Sequence, residues 1–345
     1  MVALVDLMGS VIDALIFGTA LALMAAGLSI TYSVSRVANF AHGDFAVAGI
    51  VAYLLLTLLA YGRVAPETLQ PSLSGFDGLM TLARLAFAFI FAGLVAVAAL
   101  MLVFRPLRMR GANPLQLMVA SIGVELVLRH AFYIWYVLSI GTGIIVAGVG
   151  PTIVNIGGVA LSLNDVLPWI VGGVVISLLV LFFMYTMIGV SLRAVADNPD
   201  LAEASGINTT LVELIAWFLG GGLAGLGGVL WYTWTAPATH PMESGWLLLA
   251  FVFASVTLGG LGSVFSAMIA AYIISLAYYP VSEILIPTLK SLGLPVDVGL
   301  GYMVPLVVVI VSLMVMPEGL SPHLQRLWFR LEEAWKRWRY ERAGL

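Results

Sequence analysis

Three small groups of residues in this 345-residue chain have types and spacings that could do chemistry or handle ions. The first is Glu125 with Arg129, one helical turn apart, followed by His130. The second is the block Asn39, Phe40, Ala41, His42, Gly43 and Asp44, which opens an apolar run. The third lies between Gly189 and Thr210 and holds Arg193, Asp197, Asn198, Pro199, Ala202 and Gly206. Charge inside a membrane span is costly and tends to face a bundle interior or a cavity. A Glu-to-Arg pair at i,i+4 neutralises itself in part. Glu125 and Arg129 therefore read either as a salt bridge that fixes a helix orientation or as the polar lining of a translocation path. His42 could change charge near neutral pH, or hydrogen-bond the carbonyls of a broken helix. Asn39 would satisfy freed backbone groups in the same bend.

The same residues do not make an enzyme. His42-Gly43-Asp44 is too short-range for a hydrolase triad, which also needs a positioned nucleophile. No His/Asp/Glu cluster has metal-ligand spacing, so no metal site is expected. The chain has no cysteine, which removes thiol nucleophiles and zinc-thiolate sites. Of its two lysines, Lys290 and Lys336, neither follows a glycine. There is thus no GxxxxGK[ST] loop, and ATP cannot be held here in the P-loop manner.

The elements that must position these groups follow from composition. Hydrophobic residues make up 61% of the chain and charged residues 10%, and mean hydropathy is +1.07. A soluble fold could not hide that much apolar surface behind a charged exterior. A soluble enzyme, a disordered chain and a nucleic-acid binder are excluded. Nine hydrophobic segments are read, at roughly 9–32, 41–60, 82–104, 115–138, 168–188, 211–231, 246–261, 264–286 and 302–316, near the length a helix needs to cross a bilayer. The runs do not alternate with period two, which argues against a β-barrel. The expected fold is an all-α polytopic bundle. Segments two, seven and nine are short enough to be tilted, broken or re-entrant, which leaves seven or eight full spans plus half-helices as an alternative. The acidic start (Asp6, Asp13) without Lys or Arg does not look like a cleaved signal.

If each segment crosses once, Arg36, Arg105, Arg108, Arg110, Arg193 and the basic tail fall on one side. The opposite loops then hold only Arg63, Arg84 and Lys290. By the positive-inside rule this predicts an external N-terminus and a cytoplasmic C-terminus. Residues 1–316 form the transmembrane unit. Residues 317–345 form a tail in which Trp328, Leu331, Trp335 and Trp338 recur at helical spacing among basic residues, as in an amphipathic helix on a membrane face.

Within the third group, Asp197 or Asn198 suits a helix N-cap, Pro199 the first helical position and Gly206 the left-handed C′ position. A helix of about two turns, Pro199–Ser205, is expected outside the membrane, either as a capped connector or as a docking element. Small residues four apart in GGGLAGLGG (Gly221 and Gly225, Ala224 and Gly228) permit close helix approach. Two segments open alike: NFAHGDFAVAGIVA, and LGGLGSVFSAMIAAY with Gly259, Gly260, Gly262 and Ser263. Each has a glycine followed five residues later by alanine, Gly43 and Ala48, Gly262 and Ala267, which hints at an internal repeat of the kind that places broken helices along a pathway. His240 and Glu243 fall in an external loop, solvated or in contact with a partner.

Three stretches taken in order, GLSITYSVSRVANFAHGDFAVAGIVAY, GVSLRAVADNPDLAEASGI and LGGLGSVFSAMIAAY, resemble permease subunits of branched-chain amino-acid ABC importers of the LivH type. RPLRMRGANPLQLMVASIGVELVLR fits the same pattern. The resemblance covers roughly residues 10–316. Asp44 stands where that family more often has Glu, and the tail is longer than the family leads one to expect. The resemblance implies a pore shared with a related second permease, as a heterodimer or a homodimer, in the cell (inner) membrane. It implies two cytoplasmic ATP-binding subunits that hold ATP and Mg, so that this chain carries no cofactor, and an external substrate-binding protein. It implies translocation of branched-chain amino acids by alternating access, or of urea, short amides or small acids in related systems. Pro199–Ser205 would be the coupling element. A stand-alone secondary transporter or channel would instead need an intramembrane relay, and Glu125 is the only acid that this segmentation places deep in a span.

Overall fold

The computed structural model describes residues 2–69, 71, 75–145, 152–235, 240–326 and 330. The amphipathic stripe expected at Trp328, Leu331, Trp335 and Trp338 lies outside them. Each apolar segment folds as a helix, because backbone polar groups in lipid must bond within their own segment. In chain order these are α1 (Val2–Ser35), α2 (His42–Tyr61), α3 (Gly75–Ala99, continued by a π-helical turn Leu100–Phe104 into Arg105–Met109), and α4 (Pro114–Ser139). Then come a hairpin β1 (Thr152–Ile156) and β2 (Val159–Ser162), α5 (Leu163–Tyr185), α6 (Met187–Asp197), α7 (Pro199–Ala204) and α8 (Thr209–Trp234). The chain continues through α9 (Ser244–Gly259), α10 (Val264–Pro280, then a π turn Val281–Leu285 and Ile286–Ser291) and α11 (Met303–Val315). Among the described residues eight helical bodies are long and apolar enough to cross a membrane, and Gly299–Val315 is a shorter ninth. The protein is a multi-pass membrane bundle, as expected.

The all-α expectation holds, and two others are corrected. Beside the helices one short hairpin occurs among the described residues: β1 and β2 pair antiparallel across Gly157 and Gly158, both at positive φ. Two adjacent left-handed residues are what a tight hairpin turn requires. The stretch read as a loop with one helix contains two, because Thr186 caps α6 by accepting the Gly189 N–H at 3.0 Å. And Arg84 is not a loop residue. It sits within α3, almost wholly buried, and donates to Thr68 O at 2.7 Å and Thr57 Oγ1 at 3.2 Å while its guanidinium lies 4.8 Å from the Tyr53 ring centroid.

Cross-links sort the helix ends into two sets. At one end Arg36 donates to Ala196 O at 2.5 Å, Trp217 Nε1 to Ser35 Oγ at 3.0 Å, Arg108 pairs with Glu213 at 2.7 Å, and Leu320 N–H bonds Leu258 O at 2.8 Å. At the other end Tyr61 bonds Asp77 at 2.5 Å, Asn164 bonds Thr233 O at 3.0 Å and Trp234 bonds Asp165 at 3.1 Å. The first set carries Arg36, Arg105, Arg108, Arg110 and Arg193 together and is called the basic end below.

The centre of the bundle is α1, α2, α8, α9 and α10. Because lipid tails are as apolar as the side chains, this core is held by close packing rather than by a hydrophobic drive. The glycines of α8 make it possible. A Cβ on Gly228 would meet the Ala46 carbonyl, and one on Gly227 the Ala20 carbonyl. Outward faces of α4, α5 and α11 are apolar and exposed, for example Val127, Ile134, Val174, Leu178, Leu306 and Ile310.

Candidate functional site

The site is built on a helix that starts part-way into the bundle. α1 ends at Ser35, and Arg36 takes a positive φ of 55°, which turns the chain back inward through Arg36–Ala41. α2 then begins at His42, whose Nε2 lies 2.9 Å from Met24 O. Met24 is eleven residues before Ser35, about 16 Å along α1, so α2 opens well inside the bundle. Asn39 Oδ1 accepts the Ala41 N–H at 3.0 Å, which settles one backbone group of the bend. The Phe40 N–H donates to Ser121 Oγ of α4 at 2.9 Å, and the Phe40 ring stands 5.1 Å from that of Phe253. His42 thus bonds a carbonyl, but of the neighbouring helix α1 rather than of its own bend.

A second helix start meets the first. α9 begins at Ser244, and a Cβ on Gly43 would collide with the Gly245 carbonyl. Between the two starts sits Asp44, with no exposed surface. Arg129 on α4 forms the expected bridge to Glu125 and also reaches Asp44, Nη2 to Oδ2, at 3.7 Å. Glu125 is therefore not the only acid deep in a span. Asp44 joins it, and Asp13 and Glu283 lie within spans toward the opposite end. The pair is a three-residue chain of charge, −, +, −, set against two helix N-termini whose dipoles add positive potential.

Gly259, Gly260, Gly262 and Ser263 do not join this cluster. They form the turn between α9 and α10 at the basic end. Gly260 and Gly262 have φ of 100° and 84°, which other residues rarely adopt. A Cβ on Gly262 would lie 3.6 Å from Ser33. Ser33 is nine residues beyond Met24, about 13 Å on α1. The two similar openings therefore sit at different depths.

The third group forms an outlying unit at the basic end. Asn198, not Asp197, caps α7 by accepting the Leu201 N–H at 3.0 Å; Asp197 closes α6. Pro199 takes the first helical position, Ala202 is buried beneath α7, and Gly206 has φ 85°. Arg193 donates to Phe183 O at the end of α5, and Arg36 to Ala196 O. Leu201 points away from the bundle, 64% exposed. A cavity of about 410 Å³ opens beside α7, lined among others by Arg105, Arg108, Pro199, Thr209 and Glu213.

At the opposite end His240 packs on Tyr133 and Tyr136, with ring centroids 4.8 and 4.5 Å away. It is largely buried rather than solvated, and its Nδ1 accepts the Met242 N–H at 3.3 Å. Burial lowers its proton affinity, against a smaller opposing pull from Glu243. The folded state therefore binds the proton less readily than the unfolded chain. The contribution of this contact is complete above the usual imidazole value of about 6.5 and declines as pH falls through it. Hydrogen exchange of residues 240–245 is expected to quicken below that pH in the parent protein. In a His240→Gln variant it should stay flat.

Among the described residues no group of three or more His, Asp or Glu could hold a metal ion. Residues 10–313 match the family described as "Branched-chain amino acid transport system / permease component". The chain is 30% identical over 89% of its length to "Probable branched-chain amino acid transport permease protein LivH" of Methanocaldococcus jannaschii, covering 90% of that protein. It is 26% identical to BraD of Pseudomonas aeruginosa, named a high-affinity branched-chain amino acid transport system permease, over 77% of this chain and 83% of that one. It is 25% identical to the similarly named LivH of Escherichia coli K12, over 88% and 91%. No solved structure matches.

Proposed function

Because the chain belongs to the family of branched-chain amino acid transport permease components, we propose that it is one membrane-spanning half of an ATP-driven importer that moves leucine, isoleucine and valine by alternating access. The basic end faces the cytoplasm, where Lys and Arg accumulate, and the N-terminus faces outward. A related second permease completes the pore, as a heterodimer or a homodimer. Two cytoplasmic subunits hold ATP and Mg, and an external binding protein delivers the solute. This chain does no catalysis. Residues 1–316 make the permease and 317–345 a tail against the cytoplasmic membrane face.

The observation that carries the reading is α7. It is a capped helix outside the spans, at the basic end, with an exposed leucine on a surface that otherwise meets water. Its neighbour α6 is tied to α1 through Arg36 and to α5 through Arg193. A push on α7 from an ATPase groove would reach both helices through those bonds. Relatives named for branched-chain amino acids support that solute class over the alternatives of urea, short amides and small acids. Co-reconstitution with ATPase subunits and a binding protein in liposomes tests the proposal. Leucine should stimulate ATP hydrolysis and enter the vesicles. Uptake by the permease alone, with no ATPase present, would refute it.

A further inference from the structure

The cluster where α2 and α9 begin contains more polar atoms than its own contacts satisfy. Both carboxylate oxygens of Asp44, Nε of Arg129, Nδ1 of His42, Nδ2 of Asn39 and Oγ of Ser244 are buried without a hydrogen-bond partner among the described residues. Buried polar groups in native folds are paired with few exceptions, and a half-satisfied ionic cluster is destabilising. A bridge that served only to orient α4 would need Glu125 and Arg129 and nothing else. Here acceptors and donors are left over together. Asp44 offers acceptor lone pairs, Arg129 Nε an unpaired donor, and the starts of α2 and α9 positive potential. The cluster also reaches the bundle surface. The Arg129 side chain is 19% exposed, with Glu125 at 11%, and one turn before Glu125 Ser121 accepts the Phe40 N–H, where the paired rings of Phe40 and Phe253 are partly exposed. A guanidinium at that depth does not face hydrocarbon, so this face meets protein or a water-filled path.

We infer that Asp44, Arg129 and Glu125, at the meeting of the α2 and α9 starts, form a transit site for a free amino-acid zwitterion, with the solute carboxylate on Arg129 and the helix starts and its ammonium on Asp44 and Glu125. The assignment rests on the importer reading for its solute class, but its chemistry is narrower. A neutral solute such as urea has no use for unpaired charge of both signs. A zwitterion matches it, because each end finds the opposite charge within one small region. The side chain of the solute is not read here: Phe40 and Phe253 offer only an apolar wall. The cluster thus selects the common end of amino acids and leaves the choice among them to another component.

The test needs no ATPase. Full-length permease in nanodiscs is titrated with millimolar leucine, with leucinamide, which lacks the carboxylate, and with 4-methylpentanoate, which lacks the amine. Thermal unfolding is followed. Leucine should raise the midpoint, and both analogues should need at least tenfold higher concentration for the same shift. Asp44→Asn and Arg129→Gln should each lose that preference. The exchanged pair Glu125→Arg with Arg129→Glu should not recover it, whereas an orienting salt bridge would survive the exchange. Equal shifts with all three compounds, or none with any, overturn the inference. Comparison of the three compounds on the unaltered chain holds even where a variant fails to fold. If this titration succeeds while reconstituted complexes fail to couple, the importer proposal falls alone; if complexes import leucine while the three compounds shift the midpoint equally or not at all, this inference falls alone.

Discussion

Replacing Leu201 with aspartate is expected to reduce leucine-stimulated ATP hydrolysis by the reconstituted importer about tenfold or more. Leu201 is the large apolar side chain on the outward face of α7, 64% exposed. If an ATPase groove receives it, burial contributes roughly 1.5–3 kcal/mol, and each 1.4 kcal/mol is about a factor of ten in affinity. Aspartate removes that contribution and adds a carboxylate that must be desolvated. The permease itself should be untouched, since the side chain is exposed and the α7 cap, Asn198 to Leu201 N–H, involves backbone at that position. Retained thermal stability with lost stimulation is the expected pattern. Wild-type stimulation in the variant would show that α7 is a connector and no more.

Placing valine at Gly49 is expected to destabilise the bundle strongly. Gly49 of α2 packs directly on the backbone of Gly225 of α8, so that a Cβ on Gly49 would collide with main-chain atoms of Gly225, while one on Gly225 would first meet Ala92 of α3. Overpacking costs about 1–3 kcal/mol where side chains can shift aside. Here the obstacle is main chain, and the two helices must separate. The loss extends to a neighbouring contact, since Gly228 sits on Ala46 across the same crossing of α2 and α8. Gly225→Val should also destabilise, chiefly by forcing α8 away from Ala92 and Ala88 of α3, and the double variant should cost more than either single change. Gly123→Val on α4, where nothing lies within 4 Å, is the control. Yield and thermal midpoint in detergent read all four.

Hydropathy runs made the nine helical bodies and the grouping of basic loops legible, because both depend on local composition. Asn198, Pro199 and Gly206 were legible for a similar reason, since capping chemistry acts over four or five residues. Depth was not legible. Counting apolar residues places segment two but cannot show that Arg36–Ala41 carries its start inward, so Asp44 read as a boundary residue. Its approach to Arg129 joins positions 85 apart, beyond any spacing rule. The grouping of Gly259–Ser263 with Asn39–Asp44 failed because similar sequences opened at different levels. Two misses had local signals. Gly157-Gly158 between β-branched runs marks a hairpin, and Thr186 ahead of Met187 marks a helix start.

The position of α1 has a consequence for how the protein is made. α1 leaves the ribosome long before its principal neighbours, α8 and α10. Thr19 bonds Tyr272, 253 residues later, and Ser275 bonds Ala14, 261 residues earlier. At roughly 5–20 residues per second of synthesis, α1 waits on the order of ten seconds or more for the surfaces that enclose it. Its small and polar positions, Ser10, Asp13, Thr19 and Ser29, must meanwhile be sheltered by insertion machinery or by passing helices. Nascent chains halted before Tyr272 should therefore hold α1 in the membrane but unlatched, and the last third of translation closes the molecule.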